Sequence, residues 1–172
     1  MSELRTNRII PRDGLTSGTG VGGGIIQIKQ TIKKDTFTTA NNTSNYIDIT
    51  GLSVAITPTR SDSKILVKAV IYNSNANAVN FFRLLRGSTF IEQPSGTSSS
   101  GAGYNAHAFA YYNADNWQDS TVIEILDSPA TTSATTYKIQ MAVTSNTGTI
   151  NKFYNTSNYY GISTITAMEV SG

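Results

Sequence analysis

His107 is the only histidine in the chain, and there is no cysteine. These two facts bound the chemistry available. A catalytic triad could be assembled by inventory from Ser98, His107 and Asp115, but no nucleophile-elbow sequence surrounds the serine, and triads are recognised by geometry rather than by composition. One imidazole cannot build a histidine metal site, and the acids Asp115 and Asp119 lack the glycine and terminal Glu of an EF-hand loop. Asp115, Asp119 and Glu124 could pair as glycosidase carboxylates, though three acids near a loop are more often solvated. Six glycines within residues 14–24 invite comparison with a phosphate cradle. The motif fails because no strand precedes them and no Lys-Ser/Thr follows. The expectation is a protein that is not an enzyme and carries no cofactor.

Binding is the better reading. Tyr104, Phe109, Tyr111, Tyr112, Trp117, Tyr154, Tyr159 and Tyr160 crowd the second half of the chain, several beside Asn and Asp. A flat apolar ring next to fixed hydrogen-bonding groups is what a sugar surface requires. Tyr104, Tyr112, Asp115 and Trp117 are the candidate contacts to a host surface or glycan, with Trp117 in Asn113-Ala-Asp-Asn-Trp-Gln-Asp119 the sharpest. Phe109 and Tyr111 read first as core or subunit contacts.

The elements that would position these residues are strands. Apolar content is 38% and charged content 14%, with Ser, Thr, Asn and Gly making up the difference, a mixture suited to strands and turns. No window sustains a 3.6-residue apolar period. Ile25–Ile32 alternates with Ile26, Ile28 and Ile32 on the face predicted to be buried. Tyr46–Thr50 and Ser53–Thr57 are separated by Gly51. Lys64–Tyr72 is the strongest strand and is apolar on both parities. Val79–Arg86 and Thr89–Glu92 read as a hairpin or a sharply bulged strand, and Tyr104–Tyr112, Ser120–Leu126, Tyr137–Val143, Thr149–Tyr154 and Ile162–Val170 follow. Ile65, Val67, Ile139 and Met141 are the predicted core. Nine or ten strands at this spacing predict an antiparallel two-sheet sandwich, best built as a jelly roll.

Charge is unevenly placed. The net value is +2, too small to predict nucleic-acid binding, yet residues 1–34 hold six bases against two acids. Leu4, Arg5, Arg8, Ile9, Ile10 and Arg12 suit docking onto another protein. Residues 1–24 thus read as an anchoring arm with a glycine-rich linker, and 25–172 as the folded domain. No apolar run is long enough to span a membrane, and the N-terminus lacks a signal-peptide core.

Tyr46-Ile-Asp-Ile-Thr-Gly-Leu-Ser-Val-Ala-Ile-Thr-Pro58, Ser63-Lys-Ile-Leu-Val67, Arg83-Leu-Leu-Arg86, Asp127-Ser-Pro-Ala-Thr-Thr-Ser-Ala-Thr-Thr-Tyr-Lys138 and Ser163-Thr-Ile-Thr-Ala-Met-Glu169 carry a resemblance. Together with Ser2–Gly14, they resemble tail-fibre-like structural proteins of tailed bacteriophages of marine and cyanobacterial hosts. The domain is also similar in outline to the trimeric jelly rolls of the tumour-necrosis-factor and C1q type. These resemblances imply a virion location, other virion proteins as partners, a homotrimer, and a host surface polysaccharide as a target. Unlike a long fibre, the chain has no shaft repeat between arm and domain. A capsid decoration protein is therefore the alternative, and a surface-glycan hydrolase a distant third. Two-sided strands argue separately for some subunit contact. Leu66, Val70 and Tyr72, with Ile165 and Ala167 of the last strand, are the expected interface.

Overall fold

Lys64–Tyr72 lies at the centre of the larger of two sheets in the computed structural model of the protein. The structure describes residues 24–40, 45–96, 105–113, 117–155 and 158–171. The strands are β1 (Ile25–Lys33), β2 (Phe37–Ala40), β3 (Ile47–Ile56), β4 (Lys64–Ser74), β5 (Val79–Arg86), β6 (Thr89–Phe90), β7 (Ala108–Tyr111), β8 (Gln118–Asp127), β9 (Thr135–Val143), β10 (Thr147–Ile150) and β11 (Ser163–Val170). Every pairing among them is antiparallel.

Sheet A holds β1, β11, β4, β10 and β2 in that order, with β8 on β4; sheet B holds β3, β9, β5 and β6, with β7 also on β5. The chain crosses between sheets after β2, β3, β4, β7, β8 and β9, so the strands joined there face each other across the core rather than lying side by side. The protein is all-β, a two-sheet antiparallel sandwich of jelly-roll type, as the strand spacing predicts.

The interior follows from strand alternation. Ile65, Val67, Ala69 and Ile71 of β4, Ile139 and Met141 of β9, Phe82 and Leu84 of β5 and Ile165 and Ala167 of β11 are all fully buried. The four predicted core residues are among them.

Three local readings change. Gly51 does not end a strand. It takes φ +80°, a conformation that only glycine adopts without cost, and absorbs a bulge inside one continuous β3. The strand read over Thr149–Tyr154 is instead β10, Thr147–Ile150, and it includes Gly148, where a Cβ would strike Met141, Val143 and Asn80. Phe37–Ala40, too short and polar to register by pattern, is a strand because β10 pairs with it.

The largest correction concerns face. Ile165 and Ala167, expected at a subunit interface, lie inside the sandwich. Ile28 and Ile32, expected inside, face out. One register explains both. β11 pairs directly with β4, Ile165 opposite Ala69 and Ala167 opposite Val67, so these side chains share β4's inner face. β1 then pairs Thr31 with Ile165 and Lys29 with Ala167, which sends Ile28 and Ile32 to the outer face.

Glu169 marks one end of the core and is fully buried. Its carboxylate accepts from Gln27 Nε2 at 2.6 Å, and from the Thr59 backbone N–H and Thr59 Oγ1 at 2.7 Å each. Burial opposes the charge, but these donors outweigh burial and hold the group at about 2, below its ordinary 4.5. The turn between β3 and β4 is thereby fastened to β1 and β11.

Two outcomes are expected. Ile65→Ala or Met141→Ala should lower unfolding stability by about 2–5 kcal/mol in denaturant titration, the usual cost of a core cavity. Because Glu169 has a folded pKa below its unfolded one, its contribution is complete above about 4.5 and is lost as pH falls toward 2. Thermal melts of wild type and Glu169→Gln across that window should converge at the acid end. Parallel curves would show that the carboxylate charge contributes nothing.

Candidate functional site

The outward parity of sheet B gathers most of the chemistry-bearing side chains that the fold exposes. β5 pairs with β9 on one edge and β7 on the other, so side chains of three strands share one surface. Val79 stands opposite Tyr111, and Phe81 opposite Phe109. The Phe81 and Phe109 rings lie 6.0 Å apart, tilted by 42°. Phe109 and Tyr111, on the edge strand β7, are 67% and 66% exposed. Beside Phe81 on β9, Ala142 has the same outward parity yet is fully buried, so the neighbouring side chains close over it.

One row further along β5 the surface becomes polar. The Arg83 guanidinium lies over the Tyr46 ring at 4.0 Å and 5.3 Å from the Phe90 centroid. Its Nε donates to Gln140 Oε1 at 2.8 Å, Gln140 Nε2 donates to Asp48 Oδ1 at 2.6 Å, and Lys138 Nζ donates to Asp48 Oδ2 at 2.7 Å. The bond from Lys138 pulls the Asp48 carboxyl below its ordinary value against partial desolvation, with Gln140 assisting. Desolvation lowers Arg83 somewhat, and it remains a cation. The result is a row of polar groups held in fixed positions next to an aromatic shelf.

His107 supports this surface rather than acting in it. Its Nδ1 accepts from the Leu84 N–H at 2.8 Å, so Nε2 carries the proton and donates to the Ile91 carbonyl at 2.8 Å. The ring meets Phe90 edge-on at 4.8 Å. Burial lowers its pKa, which fits the neutral tautomer this arrangement needs. Both ring nitrogens are occupied by backbone, a staple between β5 and the segments flanking it.

The sequence candidates divide. Trp117 is 59% exposed at the start of β8, as a surface contact requires. Tyr112 is a correction. It is buried, and its hydroxyl donates to Asn73 Oδ1 at 2.6 Å. Desolvation raises its pKa well above the ordinary value. Ala110 and Tyr112 take the inward parity and Phe109 and Tyr111 the outward one, which overturns the core reading of Phe109 and Tyr111 and leaves their reading as subunit contacts untouched. The small alanines at 108 and 110 were the available signal, because small residues mark the closely packed side. Tyr104, Asp115 and the arm residues Leu4, Arg5, Arg8, Ile9, Ile10 and Arg12 lie outside the described residues. Among the described residues no three His, Cys, Asp or Glu side chains form a metal-ligating group.

The outer face of sheet A differs in kind. Strand register sets Ile28, Met168, Leu66 and Leu126 in one row and Ile32, Thr164, Val70 and Val122 in another. Between them runs a polar row in which Gln30 bonds Thr166 at 2.8 Å and Lys68 pairs with Glu124 at 3.2 Å. Leu66, Val70 and Tyr72 do face outward here, each half-buried.

No family model matches the chain, and no curated protein sequence matches it. Among solved structures it is similar to the structure of infectious bursal disease virus Gx strain, at 11% identity and a TM-score of 0.43 over 97% of this chain and 42% of the other. It is also similar to the VP2 subviral particle of infectious bursal disease virus, at 8% identity and a TM-score of 0.39 over 97% and 44%. The chain thus spans less than half the length of the chains it resembles.

Tyr112→Phe should keep the fold and weaken it by about 1–3 kcal/mol, since it deprives Asn73 Oδ1 of a buried donor. Equal urea midpoints for the two proteins would show that water or another group replaces the bond.

Proposed function

We propose that this chain is a virion structural protein of a tailed bacteriophage. It is a short tail-fibre or receptor-binding module that docks through residues 1–24 and presents a trimeric β-domain to the host surface. The observation that carries this reading is the contrast between the two outer faces. Rows of Ile, Leu, Val and Met on sheet A make an aliphatic surface that soluble monomers rarely leave open. Sheet B turns aromatic rings and fixed polar groups the opposite way. One face suits subunits of a closed ring, and the other a ligand outside it. Three-fold symmetry and the tailed-phage setting come from the sequence resemblance.

The resemblance also gives residues 1–24 their role. Their Leu4, Ile9 and Ile10 between arginines suit docking onto another protein, and the glycines that follow give reach. No catalytic step is assigned. A capsid decoration protein is the second reading, favoured by one specific feature: residues 14–24 are a glycine run and not a shaft repeat.

Two measurements test the proposal. Gold-labelled antibodies against the purified chain should decorate the tails of intact particles. Labelling confined to heads would select the decoration role, and bare particles would sink both. Val122→Glu combined with Leu126→Glu should convert the purified trimer to monomer in light scattering while leaving the circular dichroism spectrum unchanged. A wild-type protein already monomeric at micromolar concentration would overturn the subunit assignment.

A further inference from the structure

We infer that the outer face of sheet B is a binding site for an uncharged saccharide, with Phe109 and Tyr111 as the platform and the Asp48–Gln140–Arg83 row as its hydrogen-bonding edge. The inference rests on the attachment reading only for its biological setting. Its physical basis is separate.

Phe81, Phe109 and Tyr111 occupy adjacent outward positions of two paired strands, about 5 Å apart across strands and about 7 Å along them. That spacing presents ring faces over an area comparable to one or two pyranose units. C–H bonds on one side of a sugar ring meet an aromatic face well, while its equatorial hydroxyls need donors and acceptors at the margin. Arg83 lies two residues from Phe81, and register places Gln140 beside Arg83 and Asp48 beside Gln140. Amide, carboxylate and guanidinium groups are the side chains able to engage neighbouring hydroxyls in pairs.

These polar groups are already bonded to one another, at 2.6 to 2.8 Å. They therefore lose little freedom when a ligand arrives. The stacking of Arg83 on Tyr46 fixes the guanidinium plane in the same way.

Charge selects the class of occupant. Arg83 and Lys138 both face Asp48, which bonds Lys138 directly and acts on Arg83. Two cations against one acid leave too small an excess of positive charge to hold nucleic acid or a polyanion, whose binding depends on many such charges. The aliphatic side chains typical of a self-association surface are concentrated on sheet A. Exposed aromatics interleaved with bonded polar groups favour a ligand that is itself half apolar and half hydroxylated.

The full chain should be applied to an array of neutral bacterial oligosaccharides built from hexoses, deoxyhexoses and N-acetylhexosamines. Binding to at least one is expected, and the best oligosaccharide should then be titrated by calorimetry. Phe109→Ser and Tyr111→Ser should each weaken that binding at least about tenfold. Both side chains are exposed, so the melting temperature should hold, and Gln140→Leu gives an independent test of the polar edge. Arg60→Ser, in the exposed turn between β3 and β4, should leave the affinity unchanged. No binding by wild type, unaltered affinity in both Phe109→Ser and Tyr111→Ser, or loss in Arg60→Ser would each overturn the site. So would a change of oligomeric state in Phe109→Ser, which would make this face a contact between copies. Particle labelling reads the virion assignment independently, so a labelled tail with a silent array refutes the saccharide site alone.

Discussion

Ile65, Val67, Ala69 and Ile71 must all be dry, and the arrangement of sheet A follows from that. β4 is flanked by β11 over Lys64–Val70 and by β8 over Ile65–Ser74. Side-chain direction alternates strictly, so fixing four inward positions on β4 fixes every neighbour in register. Ile165 and Ala167 go inward with them, as do Ile123 and Thr121 of β8. Leu66, Val70, Met168, Val122 and Leu126 have no choice but to face out. The aliphatic outer face thus cannot be removed by a register slip, because a slip would expose the larger inner set. It is this face that the proposed subunit contact would cover.

A second constraint acts where the sandwich cannot close with apolar groups alone. Asn73 is fully buried near the end of β4, and its amide donates to the Ile71 carbonyl and Thr121 Oγ1 at 3.0 Å each. Its Oδ1 accepts from Asn80 Nδ2 of β5 at 3.1 Å and from the Tyr112 hydroxyl. One side chain therefore joins sheet A, sheet B and the segment after β7. At such a site a missing partner costs more than the bonds contribute. The network consequently specifies which way β7 turns: Tyr112 must reach inward, and Phe109 and Tyr111 are left on the outside. At the other end, Arg86 Nη1 holds both oxygens of Asp127 at 2.8 Å, and the Tyr137 hydroxyl donates to the same carboxylate at 2.6 Å. That bond and the burial of the ring raise the Tyr137 pKa. β5, β8 and β9 are thus tied across the sandwich by a charged group buried with its partners.

This division explains what could be read from sequence. Fold class and most of the strand order were legible, and so was the inner parity of β9, because Tyr137-Lys-Ile-Gln-Met141 alternates; on β4, apolar on both parities, only Lys64 and Lys68 mark the outer side. Parity was not legible where both sides of a strand are apolar. β11 offers Ile165 and Ala167 against Met168 and Val170, and only pairing with β4 decides between them. β1 misled for a related reason. Its isoleucines look like a core face, yet they belong to a surface completed by three other strands. The polar edge of the candidate site was equally hidden. Asp48, Arg83 and Gln140 are distant in sequence and meet only because β3, β9 and β5 are neighbours.

Placing aliphatic rows on one sheet and aromatic rings on the other has a physical consequence. Packing between copies gains from broad, featureless burial, which Ile, Leu and Val supply, and it tolerates little bound water. Recognition of a hydroxylated ligand needs the opposite: rigid rings that retain an exposed face and polar groups that remain solvated until displaced. If both chemistries shared a face, the aromatic rings would be consumed in the subunit contact. On opposite sides of one sandwich they do not compete. The core between them, pinned at one end by Asn73 and at the other by Asp127, keeps the two surfaces in fixed relation. In the proposed oligomer, a subunit assembled through sheet A carries sheet B outward in every copy, so that weak individual contacts would add across it.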